Sequence, residues 1–154
     1  MSAGKAGRHI NDDDGLRALL LRVRRVALLG ASANEDRPSN EVMHWLLHQG
    51  YDVVPVNPGL AGKPIHGQTV CATLADVAGP IDLVDVFRTS EALPGIVDEM
   101  IAARAETGAA VLWTQLGVVH TGATDKAMAH GIDVVINRCP KIEFRRLRMA
   151  QRTR

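Results

Sequence analysis

The chain has 154 residues, 46% hydrophobic but only 3% aromatic, with 18 Lys or Arg against 17 Asp or Glu and a net charge of +1. That length suits one domain with a core of Val, Leu, Ile and Ala, and the charge balance gives no general reason to bind nucleic acid. No apolar run is long enough to span a bilayer, the first residues lack the hydrophobic segment of a signal peptide, and Cys71 and Cys139 form no metal or disulfide pattern, so a cytoplasmic location is expected.

Residues 1–11 are polar and contain glycine, and they read as a mobile segment. Asp12, Asp13 and Asp14 supply an N-cap and first-turn acid. Leu16, Leu19, Leu20 and Val23 follow at helical spacing. Residues 26–29 are apolar without a break and predict a short strand buried on both faces. Gly30 ends that strand at a sharp turn. Pro38 suits the first turn of a helix that runs toward Gly50. Free N–H groups and the positive end of the helix dipole then face the turn, an arrangement that attracts phosphate.

The turn departs from the dinucleotide fingerprint Gly-x-Gly-x-x-Gly. Ser32 stands at its second glycine and Glu35 at its third. The next strand, residues 52–56, ends in Asn57-Pro58, where a NAD site would place an acid for the ribose hydroxyls. Together these point to a nucleotide-like ligand of another shape. A tight turn without a ligand is the plain alternative.

Residues 57–67 form a glycine- and proline-punctuated loop, with a brief extended piece at 69–71. Thr73 caps a short helix reaching Val77, and Gly79-Pro80 breaks it. Residues 81–87 predict a buried strand. Ser90 or Glu91 opens a helix that Gly108 stops. Residues 109–113 form a strand, Thr121 or Thr124 opens a helix stopped by Gly131, and residues 132–136 form the last strand. Residues 138–150 return over the fold, helical at their end. Residues 12–148 thus form one domain, followed by a basic tail over 149–154. Its arginines suit a solvated helix end, with no aromatic residues to stack on bases. Strands alternating with helices predict a doubly wound, Rossmann-like α/β fold: a mostly parallel sheet with helices on both faces. Ligands of such sheets bind beyond the carboxyl ends of the strands.

Several motifs occur in order: Gly30-Ala31-Ser32 with Arg37-Pro38-Ser39, Pro55-Val56-Asn57-Pro58, Val84-Asp85-Val86-Phe87-Arg88, Trp113-Thr114-Gln115-Leu116-Gly117 and Arg138-Cys139-Pro140-Lys141-Ile142-Glu143. The set resembles the small stand-alone CoA-binding proteins, which are similar to the CoA-binding domain of the succinyl-CoA synthetase alpha subunit. The resemblance implies that coenzyme A is held by its ADP portion. Gly30, Ala31, Ser32, Asn34 and Arg37 match the segment around the diphosphate. Pro38, Ser39 and Asn40 match the helix entry. Asn57 and Pro58 match the segment beside the adenosine, and Phe87 and Arg88 the next wall. Thr114, Gln115 and Gly117 match the loop on the pantetheine side.

Coenzyme A carries a diphosphate and a separate 3′-phosphate, so backbone donors need at least one cation beside them. Arg37, Arg88 and Lys63 are the candidates. Many relatives carry Lys or Arg directly after the Asn-Pro pair; here Gly59 stands there, and Lys63 follows further along the loop. The chain ends before any segment that could carry the synthetase's phosphohistidine. The expected role is therefore a non-catalytic carrier, sensor or regulatory module for CoA or acyl-CoA, with room for a protein partner but none for nucleic acid or membrane. An NAD(P)- or other nucleotide-dependent enzyme is the alternative. No residue is assigned to catalysis or to a metal. His44 and His48 read as a helix surface, His120 as a loop residue at the surface, Cys139 as a small buried residue, and Asp85 as a hydrogen-bonded structural acid.

Overall fold

A computed structural model describes residues 5–150. Helix α1 (Asp13–Arg22) starts from Asp12, whose carboxylate accepts from the Gly15 amide, and it buries Leu16, Leu19 and Leu20. It leads into β1 (Arg25–Leu29), α2 (Pro38–His48) and β2 (Asp52–Val56). A short hairpin of β3 (Pro64–Ile65) and β4 (Gln68–Thr69) follows. The second half runs through β5 (Leu83–Val86), α3 (Leu93–Ala102), α4 (Arg104–Thr107), β6 (Val111–Thr114), α5 (Thr121–Ala129), β7 (Asp133–Val135) and α6 (Pro140–Arg146). No helix among the described residues is long and apolar enough to cross a membrane.

Five strands form one parallel sheet in the order β2-β1-β5-β6-β7. Side chains alternate between its faces. Val26, Leu28, Leu83, Val111, Trp113 and Val135 pack on one side with α1 and α2. Ala27, Leu29, Val84, Val86, Leu112 and Val134 pack on the other with α3 and α5. Both faces are covered, which explains the unbroken apolar runs of the strands. The fold is a Rossmann-like α/β domain. The chain leaves β1 toward β2 and then crosses to β5 on the opposite flank of β1. The carboxyl ends of β1 and β5 therefore frame the point where strand order reverses, which is where such sheets bind ligands.

The connections differ from expectation in two places, the loop after β2 and the start of α3. The loop after β2 contains a 3₁₀ turn at Pro58–Leu60 and the β3–β4 hairpin, whose bend places His66 and Gly67 at positive φ. Cys71 extends this arm alongside Val56 at the outer edge of the sheet. The helix expected from Ser90 begins as a 3₁₀ turn, Ser90–Ala92, and becomes α-helical only at Leu93. Helix α5 opens at Thr121, one of the two expected starts, and residue 120 caps it: His120 Nδ1 accepts from the Ala123 amide at 3.0 Å.

The terminal segments are held in part. From Gly7 to Ile10 the chain lies along β7, with Gly7 N donating to Met128 O and Ile10 N to Val134 O, each at 2.8 Å. Val134 N donates back to Arg8 O, and Ile10 is buried. The edge strand β7 thereby gains partners for its outer hydrogen-bonding groups. Residues 1–4 of the segment read as mobile, and 151–154 of the basic tail, lie outside the described residues.

Candidate ligand-binding site

Gly30 adopts φ +84°, a conformation open to glycine. A Cβ there would lie 2.1 Å from the Phe87 carbonyl, so the turn also needs glycine for space. The Gly30 and Ala31 amides both donate to Val56 O, prolonging the β1–β2 ladder past the strand ends. The donors left for a ligand come later: the amides of Ser32, Ala33 and Ser39 make no hydrogen bond among the described residues.

Polar side chains set the shape of this turn from inside. Ser32 Oγ accepts from Asn34 N at 3.1 Å, and Asn34 Oδ1 accepts from Asp36 N at 2.9 Å. Asn40 Nδ2 donates to Ser32 O at 2.9 Å. Asn57 Nδ2 donates to Ala31 O at 2.8 Å while its Oδ1 accepts from Gly59 N. Behind Asn40, His66 Nε2 donates to Asn40 Oδ1 at 2.8 Å.

A cavity of about 700 Å³ opens above the turn, a volume within the roughly 300–1,000 Å³ of small-molecule sites. Of the residues singled out from sequence, its wall brings together Gly30, Ala31, Ser32, Arg37, Pro38, Ser39, Asn57, Pro58, Phe87, Arg88 and Gln115. Gly59, Leu116 and Val118 also line it. Sequence reasoning missed the last two, although they sit in a loop at the carboxyl end of a strand, where a site is expected.

Five other candidates lie off the wall. Asn34 and Asn40 brace the turn. Thr114 is fully buried and its Oγ1 accepts from Asn137 N. Gly117 donates to Asn137 Oδ1 at 2.7 Å. Lys63 is exposed at the foot of the hairpin.

Arg37 and Arg88 are exposed, and neither forms an ion pair among the described residues. Arg37 occupies the N-cap position of α2 without capping it through its side chain, so its guanidinium stands at the positive end of the helix. Two cations and a set of free amides thus converge on one mouth, where an anion would meet all of them.

The remaining polar groups are engaged in structure. Glu143 is buried and accepts from Arg138 Nη1 at 2.7 Å and Arg146 Nη2 at 2.9 Å, so the last motif is a clamp within the fold. Trp113 Nε1 donates to Arg138 O. Cys139 is buried in the apolar cluster. His44 lies beside both His48 and His66, yet no set of three His, Cys, Asp or Glu among the described residues could hold a metal. Asp85 departs from expectation. It is fully buried between Leu28 and Trp113, and neither carboxylate oxygen has a hydrogen-bond partner among the described residues. Burial alone pushes its carboxyl well above the usual range. The strand's alternation points residue 85 into the apolar layer under α1 and α2, where no donor reaches it.

Comparison with known proteins agrees with this geometry. A model of the CoA binding domain matches residues 24–145. The uncharacterized protein YneT of Bacillus subtilis is 35% identical over 127 residues, which cover 82% of this chain and 90% of that protein. A solved structure from Thermus thermophilus superposes with a TM-score of 0.83 at 36% identity, over 89% of this chain and 99% of its own. A hypothetical protein from Pyrococcus horikoshii gives a TM-score of 0.82 at 34% identity, over 94% and 99%. By sequence match and shared fold, the chain belongs to the CoA-binding domain family.

Proposed function

We propose that this protein binds coenzyme A or an acyl-CoA through the ADP portion and acts as a non-catalytic carrier, sensor or regulatory module. The carrying observation is the convergence of Arg37, Arg88 and the residues Ser32 and Ser39, whose amides make no hydrogen bond among the described residues, on a cavity at the point where strand order reverses. The diphosphate sits over the N-terminus of α2. The adenosine lies toward Asn57, Pro58 and Gly59, and the pantetheine arm runs past Phe87 toward Gln115.

Two features favour this ligand over NAD(P). Ser32 and Glu35 occupy the fingerprint glycine positions. Asn57, at the place of the ribose-binding acid, has both ends of its side chain committed to Ala31 and Gly59. A binding role is favoured over catalysis because the residues lining the cavity include no carboxylate, imidazole or thiol, the groups that most often perform general acid–base or nucleophilic work.

Isothermal titration with CoA, acetyl-CoA, NAD, NADP and ATP tests the proposal. CoA and acetyl-CoA should bind more tightly than the other three. Tighter binding of NAD would transfer the site to the alternative class.

A further inference from the structure

The β3–β4 hairpin supplies no residue of the cavity wall, yet its tip is bonded to the turn that forms the wall. His66 lies at φ +48° beside Gly67 at +78°. Two successive positive angles at a tight bend suit Asn-Gly or Gly-Gly, and a histidine in the first place is strained. Strain of this kind persists where the surrounding structure over-determines it, and it clusters at ligand sites.

His66 Nε2 stands 2.8 Å from Asn40 Oδ1 and 3.3 Å from the Asn40 carbonyl oxygen. Both oxygens only accept, so Nε2 carries the hydrogen. The orientation of the Asn40 carboxamide follows. With Oδ1 accepting from the imidazole, Nδ2 is turned to Ser32 O and donates to it at 2.9 Å. The reversed carboxamide would set two acceptors against each other at Ser32.

The Ser32 carbonyl shares one planar peptide with the Ala33 amide, and in a trans peptide the two point opposite ways. Holding that carbonyl against α2 therefore fixes the direction of the Ala33 N–H, which makes no hydrogen bond among the described residues. Ser32 itself lines the cavity.

The imidazole is held in turn. Gly62 N donates to Val70 O and Val70 N to Lys63 O, each at 2.9 Å, and Ile65 is buried beside His66. Cys71 N donates to Pro55 O, which ties the arm to β2. The ring of His44, one helical turn beyond Asn40, has its centre 5.1 Å from that of His66. Asn40 is only 5% exposed, so losing the imidazole removes the partner that sets its carboxamide.

We infer that His66 is a positioning residue for the phosphate-binding turn: it fixes the carboxamide of Asn40, which fixes the Ser32–Ala33 peptide, so that the β3–β4 arm is coupled to the ligand without touching it. The inference rests on the proposed function and adds to it a residue outside the cavity.

The test compares CoA binding by the unaltered chain, His66→Asn, His66→Gln, Asn40→Ala, and the chain carrying both His66→Asn and Asn40→Ala. His66→Asn suits the positive φ but is too short to reach Asn40. It should melt within a few degrees of the parent and bind CoA about fivefold more weakly. His66→Gln places a donor at comparable reach and should recover part of that affinity. A role confined to the bend predicts the opposite order, because Asn is the better residue at that backbone angle. Once Asn40→Ala has cut the relay, adding His66→Asn should weaken CoA by less than about twofold more. Full affinity in His66→Asn, no recovery in His66→Gln, or losses that multiply in the double variant would overturn the inference and leave the proposed function standing. Failure of the unaltered chain to bind CoA would overturn both. If His66→Asn does not fold, nitrogen-15 spectra of the unaltered chain decide: the neutral ring of His66 should carry its hydrogen on Nε2, and a hydrogen on Nδ1 would overturn the inference.

Discussion

The side chain of Asn57, at the end of β2, donates across 2.8 Å to the carbonyl of Ala31, at the end of β1. The bond joins two neighbouring strands just past the last rungs of their ladder. It also aims the Ala31–Ser32 peptide so that the following amides face the cavity. Asn57→Ala removes this brace and the support of Gly59 together. Stability should fall by about 1–2 kcal/mol, and CoA affinity by about tenfold or more because the amides lose their fixed direction. Urea denaturation and calorimetry read the two effects separately. Unchanged CoA affinity would show that the turn holds its shape without Asn57.

Gly30→Ala should be more damaging. The residue lies at φ +84°, and an added Cβ meets the Phe87 carbonyl at 2.1 Å. Strain and displacement of the β1–β5 strand ends should cost about 3 kcal/mol. A variant that denatures at the same urea concentration as the parent would contradict this packing.

Arg37→Gln and Arg88→Gln should each weaken CoA by about tenfold while leaving thermal stability nearly unchanged, because both guanidinium groups are exposed. Each variant should also show a shallower dependence of affinity on salt than the parent. Titrations at several salt concentrations measure that slope, and parallel slopes would remove these arginines from the phosphate site.

Lys63 offers a contrast. It stands off the cavity wall, and the position after Pro58 is Gly59. Lys63→Ala should change CoA affinity by less than about threefold, well under the effect of either arginine. Dephospho-CoA, which lacks the 3′-phosphate, should bind nearly as well as CoA. A tenfold preference for CoA that disappears in Lys63→Ala would place the lysine on the 3′-phosphate.

Asp85 gives a dependence on pH. Burial holds its carboxyl well above the usual range, whereas in the unfolded chain the group titrates near ~3.9. Above that value the folded chain retains a proton that the unfolded chain has released. Stability from this group is therefore fully present below the unfolded value and is lost as pH rises toward the folded one. Asp85→Asn keeps the shape and never ionises, so its stability relative to the parent should grow as pH rises above about 4 toward the folded value. Denaturation curves of the two proteins across that range make the comparison; an offset that stays constant would mean that Asp85 is ionised in the fold.

Local chemistry accounts for what the sequence made legible. Pro38 can start a helix but not continue one, and α2 begins there. The apolar run at 26–29 could only be a strand covered on both faces, and β1 is one. The Arg37, Arg88 and Gln115 loops were found because carboxyl ends of parallel strands are predictable once the strands are. Long-range pairing accounts for the rest. That the Gly30 and Ala31 amides are taken by Val56 depends on the register of β1 with β2, which no local pattern encodes. The His66–Gly67 bend lacks the Asn-Gly signal of a tight hairpin. Leu116 lies inside the Thr114–Gly117 motif and Val118 just beyond it, and an apolar side chain carries no local sign of ligand contact. Most buried acids are satisfied, and Asp85 reads so in the sequence; only the packed layer around it shows that no donor arrives among the described residues.

The strap formed by residues 7–10 bears on how this protein meets copies of itself. A bare outer strand invites another polypeptide to add on and propagate. Here that invitation is withdrawn by the chain's own beginning, which occupies the vacancy beside Val134. Polymerisation through this flank would first require the strap to peel away, so shortening the protein past Ile10 should leave the outer edge of β7 open to a second polypeptide.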